Sequence, residues 1–304
     1  MAPTQGTGGI DPAGPGVRIL LTGAGGQLGR DLARVYGDHD VVARSHAELD
    51  VGDETAIERT MREVQPELVL NAGAWTDVDG CERDEDRAHR VNALGPWWLA
   101  RACARSSATL VQISTDYVFP GRAPTGPGGA PRGWTEFDPI DPLNAYGRSK
   151  AASEALVRQT LAEHHLIRTA WVNGAGGRNF VTTMLRLGAE HGRVRVVTDQ
   201  VGSPTFTGDL AVAIREVTDS GRFGTLHRTN AGHCSWFDLA TAVFELAGMD
   251  VEVAPTTTAG FARPAPRPDW SVLDDRHSRT QGLSALPHWR DGLARMLAEL
   301  GPRR

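Results

Sequence analysis

The sequence is poor in cysteine, with Cys81, Cys103 and Cys234 as the only three among 304 residues. They stand far apart, form neither a metal-ligand spacing nor an even disulfide set, and suit a reducing cytoplasm. The ten histidines likewise show no ligand spacing, which leaves them surface or packing roles. No apolar run approaches the roughly 20 residues a helix needs to cross a bilayer, so no membrane partner is expected. The opening segment, Met1 to Gly16, lacks the apolar core of a signal peptide and reads as a flexible Pro/Gly-rich tail. Positive charge is not in excess: the net charge is −5, which leaves no basic field for nucleic acid. At 40% hydrophobic and 23% charged, the composition is that of a soluble globular protein with room for a large and a small domain.

Against this background two motifs stand out. Val17-Arg18-Ile19-Leu20-Leu21 reads as a buried parallel strand and runs into Gly23-Ala24-Gly25-Gly26-Gln27-Leu28-Gly29, after which a helix begins. Strand, glycine turn and helix form a dinucleotide cradle. Gly23 permits the tight turn, Gly26 lets N–H groups approach a pyrophosphate, and Gly29 allows close helix–strand packing. The second strand, Asp40 to Ala43, ends in Arg44-Ser45 rather than an acid. A guanidinium and a hydroxyl suit a 2′-phosphate, so NADPH is expected, with NADH as second choice.

Tyr146 and Lys150 are four residues apart, on one face of an expected helix running to about Leu161. An ammonium beside a phenol is expected to lower its pKa from about 10 toward neutrality and make it a proton carrier for a carbonyl oxygen. Tyr-x-x-x-Lys recurs by chance, so its weight comes from context. Expected strands end at the glycine turn, at Asn71-Ala72-Gly73-Ala74 and at Ser114-Thr115-Asp116, which places all three at the carboxyl edge of one sheet, where open α/β sheets bind ligands.

The alternation of strand and helix predicts an α/β fold with a Rossmann-type, doubly wound parallel sheet over residues 17–172. Residues 173–304 read mainly as a smaller, discontinuous α/β substrate-binding lobe, some of whose segments return to the first. The stretch from Phe119 to Pro142, rich in Gly and Pro, reads as a mobile surface loop. Trp97, Trp98, Trp236 and Trp289 lie in helical patterns and read as core or interface.

Together these motifs resemble the dTDP-4-dehydrorhamnose reductase (RmlD-like) family of extended short-chain dehydrogenases/reductases, from about Val17 to Leu300. The resemblance is carried by the glycine turn and by Asn71-Ala72-Gly73-Ala74-Trp75-Thr76-Asp77-Val78-Asp79. It continues through Ser114-Thr115-Asp116-Tyr117-Val118-Phe119, Pro142 to Lys150, Arg168-Thr169-Ala170-Trp171-Val172, Asn179-Phe180, Asp199 to Thr205 and Arg267-Pro268. It implies Tyr146 as proton donor, Lys150 as its partner and Thr115 near the substrate carbonyl. It also implies Thr115, Asp116 and Trp171 at the sugar, with Asn179 beside them. Gly26, Gln27, Leu28, Asp50, Val51, Ala74, Trp75 and Thr76 would then line the cofactor. Some family members bind Mg²⁺ at a dimer interface, but no motif here places such ligands; monomer and homodimer are both open.

The reaction implied is NADPH-dependent reduction of the C4 ketone of a dTDP-linked keto-deoxysugar, with Arg267 and Arg178 as candidate partners of its diphosphate. The family often carries Ala and Tyr where this chain has Gly73 and Asn173, and the loop before Trp134 is longer than usual. Those departures, taken to lie near the sugar, tilt the choice between rhamnose and a specialised antibiotic sugar such as dihydrostreptose toward the latter. Three alternatives are weighed. A dehydratase would carry Glu where Tyr117 follows Thr115-Asp116. A C4 epimerase would retain its cofactor without net consumption. A non-catalytic subunit resembling the one that supports methionine adenosyltransferase would not need Thr115, Tyr146 and Lys150 together.

Overall fold

The computed structural model describes residues 16–261 and 263–301. All but Gly16 of the expected tail lies outside the described residues. The strands of the central sheet are β1 (Arg18–Thr22), β2 (Asp40–Arg44), β3 (Leu68–Asn71), β4 (Thr109–Thr115), β5 (His164–Thr169) and β6 (Gly224–His227). The long helices are α1 (Gln27–Val35), α2 (Glu54–Val64), α3 (Gly95–Ser106), α4 (Ala145–Thr160), α5 (Phe180–His191), α6 (Thr207–Asp219), α7 (Trp236–Ala247) and α8 (Trp289–Leu300).

All six strands pair in parallel, in the order β6-β5-β4-β3-β1-β2. The chain runs from β1 out to the β2 edge and then reverses to β3, so the switch point lies between β1 and β3. A sheet covered on both faces buries its central strands, and successive residues feed opposite cores. Leu20, Val69, Leu110 and Leu166 pack under α2, α3 and α4. Ile19, Leu21, Leu70, Val111 and Ile167 pack under α1 and α6. On α2, Ile57, Met61 and Val64 fall at helical spacing, and each is worth roughly 1.5–3 kcal/mol when buried. The Asp53 carboxylate caps that helix by accepting from the Ala56 N–H at 3.1 Å.

The second lobe has its own core, built from Val181, Leu185, Phe206, Leu239, Val243 and Leu293 among others. Two small sheets join it: Arg193–Val197 beside Glu252–Thr256, and Val201–Gly202 between Cys234–Ser235 and Trp270–Ser271. Both α6 and β6 return to the first lobe.

The Gly/Pro run from Arg122 to Pro131 lies largely exposed, as expected of a surface loop, but the segment that follows it is packed. Trp134 is buried and stacks on Phe119 with ring centroids 4.8 Å apart. Its backbone pairs with Val272 and Asp274 on the far side of the chain. Arg132 clasps Asp138 with two bonds of 2.6 and 2.7 Å. The aromatic side chain anchors the end of the stretch, while the Gly/Pro run before it stays at the surface. The strand expected to continue to Val172 ends at Thr169, because Trp171 takes a left-handed backbone with φ of 47°.

Helix α4 is locked to the sheet from below. Glu154 is fully buried and accepts from Arg168 at 2.8 and 2.7 Å and from Ser114 at 2.6 Å. Burial alone would raise this carboxyl; the Arg168 bonds and charge outweigh it and hold it below the usual range. The stabilisation is therefore present above the unfolded carboxyl pKa and is lost as pH falls through the lower folded value. Replacing Glu154 with Gln leaves the Arg168 charge buried and unpaired. We expect a loss of about 3–5 kcal/mol in urea unfolding at neutral pH, and a loss below about 1 kcal/mol would contradict this account.

Candidate active site

The glycine turn joins β1 to α1 at the switch point. Gly23 has φ of 66°, and a Cβ there would lie 2.7 Å from the Ala72 and Gly73 backbone. A Cβ at Gly29 would collide with the Gly23 carbonyl oxygen. Both glycines are therefore required by close backbone approach. Gly26 is the extended N-cap of α1 and supplies no side chain to the helix start, and the first turn carries no acid. The first N–H groups of the helix, from Gln27 to Gly29, have no carbonyl of the helix to bond and stand at its positive end. The site thus fits a dinucleotide pyrophosphate.

Around that turn the expected cofactor residues divide. Ala74, Trp75 and Thr76 follow β3 at the same sheet edge, and Val51 is buried beneath it. The Asp50 carboxylate accepts from Gly52 N–H at 2.8 Å. Arg44 is half-buried at the end of β2 and donates to its neighbour's carbonyl. Ser45 contributes less than expected, because its N–H and hydroxyl both donate to Glu48, at 2.8 and 2.7 Å. Gln27 has a further role that its sequence context does not show. Its Oε1 accepts from Gly174 N–H at 2.8 Å and from Asn179 Nδ2 at 2.7 Å, and its Nε2 donates to the Arg178 carbonyl.

Asn179 was expected at the sugar, but its side chain is committed elsewhere. It caps α5 by accepting from Thr182 N–H at 2.9 Å and donates to Gln27 and Gly174. The Arg178 side chain is exposed. Asn173 is buried, donates to the Trp171 carbonyl at 2.7 Å and lies against the start of α5. It therefore shapes the backbone around Trp171 and offers nothing to a sugar, which removes one ground for preferring a specialised substrate. The packed Trp134 segment removes the other.

The reactive groups converge at the ends of β4 and α4. Asn144 caps α4 through the Gly147 N–H at 2.9 Å, which sets Tyr146 in the first turn. Tyr146 meets Tyr117 edge-on, with ring centroids 5.5 Å apart. The Thr115 hydroxyl accepts from Tyr117 N–H at 3.2 Å and donates to Asp116 at 3.0 Å. Lys150 is buried and donates to the Ile113 carbonyl at 2.6 Å. Burial brings its ammonium down to about 8, with Glu154 pulling the other way.

The expected lowering of the Tyr146 phenol is not found. Burial pushes it well above its ordinary value and the Asp116 carboxylate adds to that, while Thr115 opposes them. Lys150 is held toward β4 instead, so desolvation of the phenolate wins. Asn92 is a residue the sequence reading missed. Its side chain bonds both the N–H and the carbonyl of Trp75 and donates to Ser149 on α4, tying the cofactor-side loop to the Tyr146 helix.

A cleft of about 950 Å³ opens from Thr76 and Tyr117 into the second lobe. Arg193, Arg195, Arg263 and Arg267 line it. Arg267 and Arg263 are held by Asp79 of the first lobe, at 3.0 and 3.4 Å. Trp236 also lines it, stacks on Trp171 with ring centroids 3.4 Å apart and packs against the second-lobe core, so the packing role expected of it holds while one side meets the cleft. The alternation Arg193-Val194-Arg195 on one short strand was the available sequence signal for the basic side. Among the described residues no group of three His, Cys, Asp or Glu could hold a metal ion. No helix among them is long and apolar enough to cross a membrane.

Comparison with known proteins places nearly the whole of the chain in one family. The RmlD substrate binding domain model matches residues 17–301. A dTDP-4-dehydrorhamnose reductase of Mycobacterium tuberculosis is 46% identical over 292 residues, covering 94% of each chain. A probable dTDP-4,6-dihydroxy-2-methyloxan-3-one 4-ketoreductase of Streptomyces antibioticus is 44% identical, covering 91% of this chain and 93% of that one. The crystal structure of dTDP-4-dehydrorhamnose reductase from Bacillus anthracis in complex with NADP superposes with a TM-score of 0.88 at 37% identity, covering 93% of this chain and 99% of that one. With a family model spanning both lobes and such identity over nearly the full length, this chain belongs to the RmlD substrate binding domain family.

Proposed function

We propose that the protein is an NADPH-dependent 4-ketoreductase acting on a dTDP-4-keto-6-deoxyhexose, with dTDP-4-dehydrorhamnose as the substrate to test first. The observation that carries this reading is that Thr115 and Tyr146 meet at the carboxyl edge of the sheet, with Lys150 one turn further along α4, near both the glycine cradle and the arginine-lined cleft. The Mycobacterium tuberculosis relative supports the choice of sugar. The loss of Asn173 and the Trp134 segment as sugar contacts leaves no structural reason to prefer dihydrostreptose. The named relatives are reductases, which favours catalysis over a regulatory-subunit role.

Bound nicotinamide supplies the hydride for the ketone carbon. The chain's own residues handle the oxygen. Thr115 hydrogen-bonds it and stabilises the charge that develops there. Tyr146 gives it a proton: an alkoxide is a far stronger base than a phenolate, so even a phenol raised by burial is acid enough. Lys150, charged below about pH 8, offsets the negative charge left on the tyrosine. In the cleft, Arg193, Arg195, Arg263 and Arg267 offer charge-assisted bonds to a nucleoside diphosphate, with Trp236 beside them as an apolar wall. Arg44 at the end of β2 answers the 2′-phosphate.

Consumption of NADPH by the purified protein with dTDP-4-dehydrorhamnose, followed by loss of nicotinamide absorbance and by product NMR, tests the reading directly. No turnover with any dTDP-4-keto-6-deoxyhexose would overturn it. Tyr146→Phe is expected to lower kcat by roughly 10²–10⁴-fold with little change in nucleotide affinity. Arg44→Ala should lower the NADPH-to-NADH ratio of kcat/KM about tenfold or more, and an unchanged ratio would remove Arg44 from the 2′-phosphate. Because the Lys150 pKa is depressed, its charge is present below about pH 8 and lost above it. The kcat profile should therefore fall on the alkaline side of about pH 8, and Lys150→Arg should abolish that descent.

A further inference from the structure

Asp116 lies beside Thr115 and Tyr146 without a countercharge. It is 4% exposed. One carboxyl oxygen, Oδ1, meets the Thr115 hydroxyl at 3.0 Å. The other, Oδ2, is buried and has no hydrogen-bond partner. An ionised carboxylate in that position leaves a charged acceptor both desolvated and unmatched, the costly case for a buried polar group. The mechanism above gives Asp116 no task.

Its surroundings define what its charge would do. From α4 it faces Tyr146, and its charge opposes loss of the phenolic proton there. From its own segment it faces Tyr117 with the same effect. From the strand Trp270–Ser271 it faces the Ser271 hydroxyl, which favours the ionised form. Arg267, Arg263 and Asp79 act on Tyr117, and Cys81 acts on Tyr146, from the outer side of those rings. Lys150 is turned to the Ile113 carbonyl.

Thr115 has one proton to give. With Asp116 ionised, that proton points at Oδ1 and is withheld from the substrate oxygen. With Asp116 neutral, the carboxyl proton can bridge the same 3.0 Å in the other direction, onto the Thr115 oxygen. The Thr115 proton is then free for the oxygen on which charge develops. The neutral acid also removes a negative charge from beside the forming alkoxide and phenolate.

We propose that Asp116 is a positioning residue that must be a neutral carboxylic acid for the reaction, and that its ionisation turns the Thr115 hydroxyl away from the substrate oxygen. The proposal rests on the reductase reading. No bond other than O–H is made or broken: ionisation releases one proton to water, and reprotonation recovers it. Burial, the dominant influence on this group, pushes it up to about 6, against the pull of Ser271 and Thr115. Ionisation thus falls within the working range, well below that of Lys150, and the two descents in rate are separable.

The test is the pH dependence of kcat with NADPH and dTDP-4-dehydrorhamnose. The parent should lose roughly fivefold or more of its kcat between about pH 5 and about pH 7.5, before the later descent assigned to Lys150. Asp116→Asn, which fixes a neutral side chain of the same shape, should lack the first descent and keep the second. Thr115→Val, which removes the hydroxyl through which Asp116 acts, should lack the first descent as well at lower overall rate. Infrared titration of the parent without substrate should show a protonated carboxyl band that disappears across the same interval and is missing from Asp116→Asn. A parent profile flat over that interval, a first descent that persists in either variant, or no such infrared band would each overturn the proposal. Failure of the parent to turn over any keto-sugar would instead strike the reductase reading, while the infrared titration still reports on Asp116.

Discussion

The site depends on the buried clasp between Glu154 and Arg168. Helix α4 carries Tyr146 and Lys150 near its start, and α4 lies across strands that end in Thr115 and Thr169. Reaction geometry requires that the helix neither slide nor rotate against β4. Glu154 secures it by holding Arg168 of β5 and Ser114 of β4 at once, while Lys150 donates to the β4 backbone one turn earlier. A charge pair in such a place has a large desolvation penalty, and hydrophobic side chains of equal volume could match its stability. What the pair adds is a single register. Apolar contacts tolerate small slides that a carboxylate bonded to three groups does not.

Much of this arrangement is written in local sequence. The alternating strands and helices, the switch point and the glycine turn follow from period-two apolar runs and from glycines that backbone contacts require. Helices α7 and α8 begin and end where their caps and periodicity place them. The convergence of Thr115 and Tyr146 at one sheet edge follows from parallel topology alone.

Other features depend on contacts between residues distant in sequence. Nothing around Trp134 announces that an indole will anchor the end of a Gly/Pro-rich surface stretch; its partners, Phe119 and the backbone of Val272 and Asp274, become neighbours only on folding. Asn179 and Gln27, which the sequence assigns to different ligands, are 152 positions apart and directly bonded. The Tyr146 phenol is a further case. Helical spacing places an ammonium on the same face, but the backbone carbonyl that captures Lys150 belongs to another element. Desolvation then decides the sign of the shift, and sequence spacing carries no information about it.

The Gln27 side chain joins the glycine cradle of the first lobe to the start of α5 in the second. Its backbone opens the helix end that meets the pyrophosphate, and its amide grips the first residues leading into α5 of the second lobe. A displacement of that helix end must be shared with the lobe that receives the sugar nucleotide. By thermodynamic reciprocity, whatever the dinucleotide does to the affinity for the sugar, the sugar does to the affinity for the dinucleotide, and this short amide is a physical channel for that exchange.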